Sequence, residues 1–293
     1  MEKPCGYVFS IKEGYMQGFR LLFIPFLFSC AGPAQQDRST AQTEQPPALL
    51  PGKVGMIPLP EGYTRIDADA GDYAKFLRNI PLKKDKTVYL YNGTKKRNQQ
   101  AQYAVLAIDA GNKDLQQCAD AVMRIRAEYL FARKQFSDIS FRFTNGFPCD
   151  YEHYAQGYRL VTRGNTCNWV KQKREDYTYP VFRQYLDLVY AYAGTKSLHA
   201  QLRPVPFRDI ATGMVLIQTG NPYGHAVTIM DMARNPKTGD TIFLLSQSYM
   251  PAQDIHILRN PMNSSLSPWY SVRGNDVIAT PEWTFTKEDL RSF

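Results

Sequence analysis

Apolar residues repeat at a helical spacing in the middle of the chain and form short β-like runs in the last third. Asn112 is a suitable N-cap, and apolar positions follow it at intervals of three or four residues. A second stretch with this spacing runs from Pro180 to Tyr192. The apolar face of the first stretch comprises Leu115, Cys118, Val122, Ile125 and Tyr129. The pattern predicts two helices, the first beginning near residue 112 and carrying Cys118 in its second turn.

Short β-branched and aromatic runs bounded by turn residues predict strands on both sides of these helices. The upstream runs are residues 88–91, 103–108 and 139–143, and the later runs are residues 214–217, 226–230 and 242–245. Turns containing Asn-Pro separate the later runs, which favours an antiparallel meander. Helices followed by a meander are typical of the α+β fold class.

The N-terminal segment has the features of an exported leader. Its apolar run at residues 21–28 is far shorter than the roughly 20 residues that a membrane-spanning helix needs. The run ends in Leu27-Phe28-Ser29-Cys30, which resembles the lipobox of bacterial lipoproteins and implies lipidation of Cys30. Phe28 is bulkier than that pattern expects, and an unprocessed apolar helix with an ordinary Cys30 is the alternative. Met16 gives a more compact leader than Met1, so either residue could be the start.

The chain divides into three regions by composition. We expect a lipoprotein signal peptide and lipobox at residues 1–30. Residues 31–55 are rich in Gln, Pro, Ala and Ser and lack apolar periodicity, which predicts a flexible tether. Residues 56–293 then form a single α+β globular domain. This organisation implies a bacterial cell-envelope protein that is lipid-anchored, periplasmic or at the surface, with the membrane as a partner through the anchor.

Composition and charge exclude several classes of protein. With 293 residues, 44% of them hydrophobic, the chain is large and apolar enough to bury a sizeable core, which excludes a disordered chain or a small disulfide scaffold. The formal net charge of +8 would suit an anionic partner, but lysine and arginine are spread along the chain rather than massed in one block. With no nucleic-acid-binding motif, we expect no nucleic-acid partner.

Cysteine usage adds a further expectation for an oxidising compartment. Three cysteines remain after the leader, and an odd number indicates one disulfide and one free thiol. Cys149 and Cys167 lie in a loop-rich stretch and are the easier pair, which leaves Cys118 reduced. Three buried, reduced cysteines remain the alternative.

One set of residues could carry covalent chemistry. His225 begins a predicted strand directly after Gly224, and the next strand ends in the polar group Ser246-Gln247-Ser248. Antiparallel pairing would bring Gln247 beside the imidazole, with Asp231 as a more distant alternative. An imidazole can withdraw the proton of a thiol, and a third polar group can fix the ring and its tautomer. Cys118 on the upstream helix would complete the set.

The same residues resemble a known group of hydrolases. Residues 213–217, Gly224-His225-Ala226-Val227 and residues 242–248 resemble the second half of papain-like folds, especially the cell-wall amidases of the CHAP and NlpC types. Gln117-Cys118 is similar to the Gln-Cys that opens the nucleophile helix of CHAP amidases. The resemblance implies a papain-like domain in which helices pack on an antiparallel meander. It also implies Cys118 as nucleophile, His225 as base, Gln247 as orienting residue and Gln117 as oxyanion donor.

The sequence departs from the amidase pattern at two positions, and it also resembles a second family. Met214 stands where the amidases have Asp, and Cys118 is expected to lie deeper than the helix N-terminus, where its pKa would be lowered most. The body of the chain also resembles an uncharacterised lipoprotein family of Bacteroidetes, which implies no activity.

Two functions therefore follow from the sequence. The first is a thiol amidase or peptidase that acts on cell-wall or other peptides. The second is a non-catalytic envelope lipoprotein that uses a papain-like scaffold to bind a ligand, since a fold alone does not confer chemistry. Candidate ligand platforms are the aromatic residues Tyr223, Tyr249 and Trp269. The remaining histidines show no metal-ligand spacing, so we expect no metal and no cofactor.

Overall fold

The computed structural model describes residues 51–68, 72–274 and 276–293. The helices in these residues are α1 (Tyr73–Asn79), α2 (Cys118–Ala132), α3 (Tyr151–Ala155), α4 (Tyr179–Tyr192) and α5 (Thr195–Gln201). The strands are β1 (Thr64–Arg65), β2 (Gln102–Val105), β3 (Ser140–Arg142), β4 (Pro148–Asp150), β5 (Tyr158–Arg163), β6 (Thr166–Lys171), β7 (Arg203–Pro204), β8 (Val215–Gln218), β9 (His225–Arg234), β10 (Thr241–Gln247), β11 (His256–Leu258), β12 (Tyr270–Ser271), β13 (Val277–Ala279), β14 (Thr284–Thr286) and β15 (Leu290–Ser292). The predicted signal peptide, the lipobox at Cys30 and most of the tether lie outside the described residues.

Most strands belong to one large antiparallel sheet. Its order is β2-β11-β10-β9-β8-β15-β7, with β1 paired to β9 and β12 paired to β10. β8, β9 and β10 are antiparallel neighbours in chain order, so the predicted meander is confirmed. β3-β4, β5-β6 and β13-β14 form separate two-stranded ladders. The protein is thus a mixed α/β molecule with a large antiparallel sheet and few helices.

The central strand β9 is covered on both faces. Ala226 faces the helical side, where it belongs to the same apolar cluster as Val122 of α2. Val227 faces the opposite side, where Phe285 and Leu290 from the C-terminal segment cover the sheet. The residues of β9 from His225 to Ala233 are therefore buried, and its last residue, Arg234, is exposed. No helix in the described part of the chain is long and apolar enough to cross a membrane.

The predicted helices and upstream strands are confirmed to different degrees. α4 spans nearly the predicted residues and carries Pro180 in its first turn, where a missing N–H costs nothing. Residues 88–91 form only isolated bridges at Tyr89 and Leu90, so the strand predicted there is wrong. The reason is non-local, because the Tyr89 N–H donates to the carboxylate of Asp254 rather than to a neighbouring strand.

Asp231 connects the N-terminal segment to the sheet. Its fully buried carboxylate accepts from Arg65 Nε at 2.7 Å and from Arg78 Nε at 2.6 Å. Arg65 belongs to β1 and Arg78 to α1, so one carboxylate holds two early elements against β9. Asp231 is therefore a structural residue, and the alternative in which it orients His225 is wrong.

Candidate functional site

Cys118 is the first residue of α2. The predicted start at Asn112 is wrong, because residues 112–117 form a loop that non-local contacts hold in place. Asp114 Oδ1 accepts from the Ala252 N–H at 2.7 Å, and Asp120 Oδ2 accepts from the Gln117 N–H at 3.0 Å. The second contact caps the helix. The thiol therefore lies at the helix N-terminus rather than in the second turn.

The thiol of Cys118 contacts the start of β9. Its Sγ lies 3.9 Å from the carbonyl oxygen of Gly224, the residue that precedes His225, and the side chain is 6% exposed. Burial raises the pKa of the Cys118 thiol to about 12, and the negative charge of Asp120 adds to this shift. The N–H groups of Ala119 and Ala226 act in the opposite direction but do not outweigh burial. The resting thiol is thus protonated at neutral pH.

Gly224 is required by the tight approach of the chain before β9. A Cβ at this position would lie 2.2 Å from the carbonyl oxygen of Gln218 and 2.9 Å from Thr195 Oγ1. Only glycine fits between β8 and α5 here. The Gly-His pair of the sequence therefore has a steric cause, and it sets where β9 begins.

His225 is the first residue of β9, as the sequence predicts. Its ring lies on the side of the sheet that the C-terminal segment covers, with centroid distances of 5.3 Å to Trp283 and 5.8 Å to Phe285. The ring of Tyr249 also lies beside the start of β9, with its centroid 4.9 Å from that of His225. Burial lowers the pKa of His225 to about 4, which the hydrogen bond to Gln247 only partly offsets. The imidazole is therefore neutral at neutral pH.

Gln247 contacts the His225 ring as expected from antiparallel pairing. Gln247 Oε1 lies 2.9 Å from His225 Nε2, and Gln247 Nε2 donates to the carboxylate of Glu282 at 2.7 Å. Gln247 Nε2 also lies 3.3 Å from Nε2 of His256, whose Nδ1 donates to the Asp254 carbonyl. Both amide hydrogens are thus directed away from His225.

These contacts determine the tautomer of His225. Because the amide oxygen of Gln247 can only accept, Nε2 of His225 carries the hydrogen. Nδ1 then keeps its lone pair, and no described residue forms a hydrogen bond with it. A neutral imidazole with an unprotonated Nδ1 is the form that can accept a proton.

Glu282, Lys96 and His256 belong to this network but were not predicted. Glu282 is paired with Lys96, which is 7% exposed and has a pKa lowered by burial. His256 is buried, and burial lowers its pKa to about 3. Glu282 follows Gln247 by 35 residues, and Lys96 precedes Glu282 by 186. No local spacing could have connected them.

The other predicted site residues differ in their placement. Gln117 is half-buried beside Cys118, and its Nε2 donates to Asp114 Oδ1 at 3.1 Å. Tyr249 lies at the site, and Tyr223 is 61% exposed in the loop before β9. Trp269 is 1% exposed, and its indole N–H donates to the Pro58 carbonyl. Trp269 therefore packs in the core and presents no face to a ligand, which corrects the sequence expectation.

Cys149 and Cys167 are free thiols in the structure, so the expected disulfide between them is not formed. Cys149 is fully buried on β4, and burial raises its pKa above the ordinary value. Cys167 lies on β6, half-buried, and accepts from Asn145 Nδ2 at 3.3 Å. Among the described residues, no group of three or more His, Cys, Asp or Glu side chains is placed to hold a metal ion.

A cavity of about 480 Å³ opens beside the network. Tyr249, Glu282 and Lys96 of the site line it, together with Arg97 and Met250. Its volume lies within the range of small-molecule pockets in proteins. A ligand in this cavity would contact the groups that surround His225.

Comparisons with known proteins place the chain in one family. The model of a family described as a domain of unknown function (4846) matches residues 55–292, a range that includes every side chain of the site. No curated protein and no solved structure was found to match the chain. The chain belongs to the family described as domain of unknown function 4846.

Proposed function

We propose that the protein is a thiol hydrolase of amide bonds, with Cys118 as nucleophile, His225 as base and Gln247 as orienting residue. The observation that carries the proposal is that the first residue of α2 lies against the start of β9. Cys118 begins α2 and contacts Gly224, and the next residue, His225, begins β9. A thiol at a helix N-terminus and an oriented imidazole are the parts that covalent catalysis by cysteine requires. We further propose that the domain is papain-like, since the chain order Cys, His, amide and the start of the helix at Cys118 agree with that group.

The proposed reaction starts from a neutral thiol and a neutral imidazole. As Sγ of Cys118 attacks the carbonyl carbon of the amide, its proton passes to Nδ1 of His225 and the carbonyl oxygen becomes an oxyanion. Donors for the oxyanion are the N–H groups at the start of α2 and the amide of Gln117. Nδ1–H then protonates the leaving amine, and a thioester remains on Cys118. Water then attacks the thioester and gives one proton to Nδ1, which passes it to the leaving sulfur and restores the thiol. The carboxylic acid product loses its remaining proton to solvent.

The positions of thiol and ring constrain this proposal. The thiol approaches the backbone on the helical side of β9, and the ring of His225 lies on the other side. Proton transfer needs a separation of about 3 Å or one bridging water, so the two groups must meet around the start of β9. Tyr249 borders that end, and its movement would admit substrate and ring together.

We propose an envelope peptide as the substrate class. Leu27 to Cys30 and the polar tether behind them support export and lipid anchoring, which would place the domain near cell-wall peptides. The anchoring is testable by itself, because Cys30→Ser should abolish lipid incorporation and release the protein from the membrane fraction. A wild-type protein that is cleaved elsewhere and carries no lipid would contradict the anchoring.

The hydrolase proposal is tested with a peptide acyloxymethyl ketone, which forms a thioether with a nucleophilic cysteine, and with peptidoglycan stem peptides as substrate. We expect a covalent adduct at Cys118 by mass spectrometry and new amino termini on the peptides, both lost in Cys118→Ser. Cys167→Ser is the matched control and should keep both. An adduct rate that is equal in wild type and His225→Ala, or peptide cleavage that survives Cys118→Ser, would overturn the assignment.

The second candidate is a ligand-binding protein without catalysis. The burial of Cys118 and its raised pKa favour this alternative, because a protonated thiol is a weak nucleophile. It predicts no adduct at Cys118 under the same conditions and binding of a ligand in the cavity at Tyr249.

A further inference from the structure

Three separate segments of the chain enclose the cavity beside the proposed active site. They are the segment before β2, the loop between β10 and β11, and the turn between β13 and β14. The apolar part of the lining comprises Leu90, Tyr249, Met250 and Pro251. The ring of Tyr249 also contacts the ring of His225. Apolar walls with a few polar groups are typical of small-ligand sites, so the cavity suits a ligand whose aliphatic part lies next to the site.

The charges of the lining leave one cation without a partner. The charged side chains are Lys96, Arg97 and Glu282. Both oxygens of Glu282 already accept hydrogen bonds, Oε1 from Asn98 Nδ2 at 3.1 Å and Oε2 from Lys96 Nζ and Gln247 Nε2. Lys96 thereby offsets the repulsion that Glu282 would exert on an anion. Arg97 forms no ion pair in the part of the chain that the structure describes, so its positive charge is uncompensated at the cavity.

The main chain at Arg97 is held in place from both sides. The side chains of Lys96 and Asn98, its two neighbours, both bind Glu282. The Lys96 N–H also donates to the carbonyl of Val88 at 2.9 Å. The side chain of Arg97 is nevertheless exposed to solvent. A guanidinium on a fixed main chain, accessible and without a partner to give up, can bind an anion at little cost of rearrangement.

We propose that this cavity binds a carboxylate of a peptide through Arg97, with the adjoining aliphatic atoms against Leu90 and Met250. The guanidinium presents its N–H donors in a fork that matches the two oxygens of a carboxylate. The carboxylate can belong to an acidic side chain or to the end of the peptide. The status of this peptide as a substrate rests on the proposed hydrolase, whereas its binding requires only the cavity.

The test is isothermal titration of the full chain carrying Cys118→Ser, which binds a peptide without cleaving it. The ligands are acetyl-Ala-Glu-Ala-amide, acetyl-Ala-Gln-Ala-amide and acetyl-Ala-Gln-Ala with a free carboxyl end. We expect a peptide with a carboxylate to bind about fivefold more tightly than the neutral one, between the effect of an exposed ion pair and that of a charged hydrogen bond. The preference should shrink at high salt, because solvent reaches the pair. Preference for the first peptide assigns the site to an acidic side chain, and preference for the third assigns it to the chain end.

Variants at neighbouring positions separate a specific site from a general effect of positive charge. Added to the Cys118→Ser chain, Arg97→Gln should abolish the preference for a carboxylate. Lys95→Gln is the matched control, because it removes the same charge from the same segment but does not line the cavity. It should keep the preference. Both side chains are exposed, so neither change should alter the stability of the protein.

Three results would overturn the proposal. They are an absence of saturable binding, equal affinities for the three peptides, and a preference that Arg97→Gln keeps or that Lys95→Gln reduces as strongly. The outcome is separable from that of the hydrolase proposal. Preferential binding of a carboxylate without an adduct at Cys118 would keep this site and reject the hydrolase. An adduct at Cys118 with equal cleavage of acidic and neutral peptides would keep the hydrolase and reject this site.

Discussion

At the scale of single residues, the protonation of His225 follows from its neighbours rather than from the histidine itself. Gln247 uses both amide hydrogens on Glu282 and His256, so its oxygen must face His225. Burial keeps the imidazole neutral, and with the hydrogen on Nε2 the Nδ1 atom is unprotonated. A buried ring in this state makes folding sensitive to acid.

We expect the free energy of unfolding to fall steeply between pH 6.5 and about 4. Burial lowers the pKa of His225 from 6.5 to about 4, so in this window the unfolded chain binds a proton that the folded chain does not. The stability contributed by the neutral ring is present above pH 6.5 and is lost as the pH falls. The slope for this residue is about 1.4 kcal/mol per pH unit. Urea denaturation at a series of pH values measures it.

The matched variants are His225→Gln and His256→Gln. Each should reduce the slope by about 1.4 kcal/mol per pH unit, because burial lowers both pKa values. The slope of the double variant should be reduced by the sum. If the slope of His225→Gln equals that of wild type, the ring is not buried in neutral form and the tautomer argument is wrong.

At the scale of elements, the site depends on where α2 and β9 begin. Both starts are determined by contacts outside the element: Asp114 holds the loop before α2 to Ala252, and Gly224 passes closely over Gln218 before β9. A change in either loop would move the thiol or the ring without altering either side chain.

Gly224→Ala should destabilise the protein and displace His225. The new Cβ would lie 2.2 Å from the Gln218 carbonyl, and main-chain atoms on both sides must shift to admit it. Overpacking of this kind costs about 1–3 kcal/mol in the free energy of unfolding. Chemical denaturation measures the loss, and the chemical shifts of the His225 ring in the NMR spectrum report its displacement.

The control for this change is Gly52→Ala. A Cβ at Gly52 would meet only Met56 Sδ at 3.8 Å, an ordinary contact. It should leave the free energy of unfolding within about 0.5 kcal/mol of the wild-type value. Equal stability of the Gly224 and Gly52 variants would show that the loop before β9 adjusts freely.

At the scale of the whole molecule, the sheet serves as the frame on which distant segments are assembled. β9 receives α2 on one face and the C-terminal segment on the other. Asp231 of the same strand holds β1 and α1 through Arg65 and Arg78. One strand therefore positions the site and secures the early part of the domain.

Asp231→Asn should lower the free energy of unfolding by about 2–3 kcal/mol. The carboxylate is fully buried, and its loss leaves two guanidinium groups without their counter-charge. The expected cost is below that of a wholly buried pair, because both arginines keep some contact with solvent. Asp187→Asn, which breaks an exposed pair with Lys113, should cost less than about 1 kcal/mol. Similar losses in the two variants would contradict a structural role specific to Asp231.

The sequence by itself determined the elements whose signals are local. The spacing of apolar residues and the turn residues between the runs predict the three-run meander, α4 and the place of His225 at a strand start. These features depend only on residues close together in the chain. The contact of Gln247 with His225 does not, because the register between β9 and β10 shifts between Leu244 and Leu245, and the register that the turn begins would place Gln247 opposite Thr228, on the other face of the sheet.

Only the tertiary structure decided the chemistry of the site. The start of α2 at Cys118 depends on Ala252, and the tautomer of His225 depends on Glu282, which no local pattern connects to it. Periodic burial is a property of each segment, and it can be read from that segment alone. Hydrogen-bond partners and pKa values depend on which distant groups fold side by side, so they exist only in the assembled molecule.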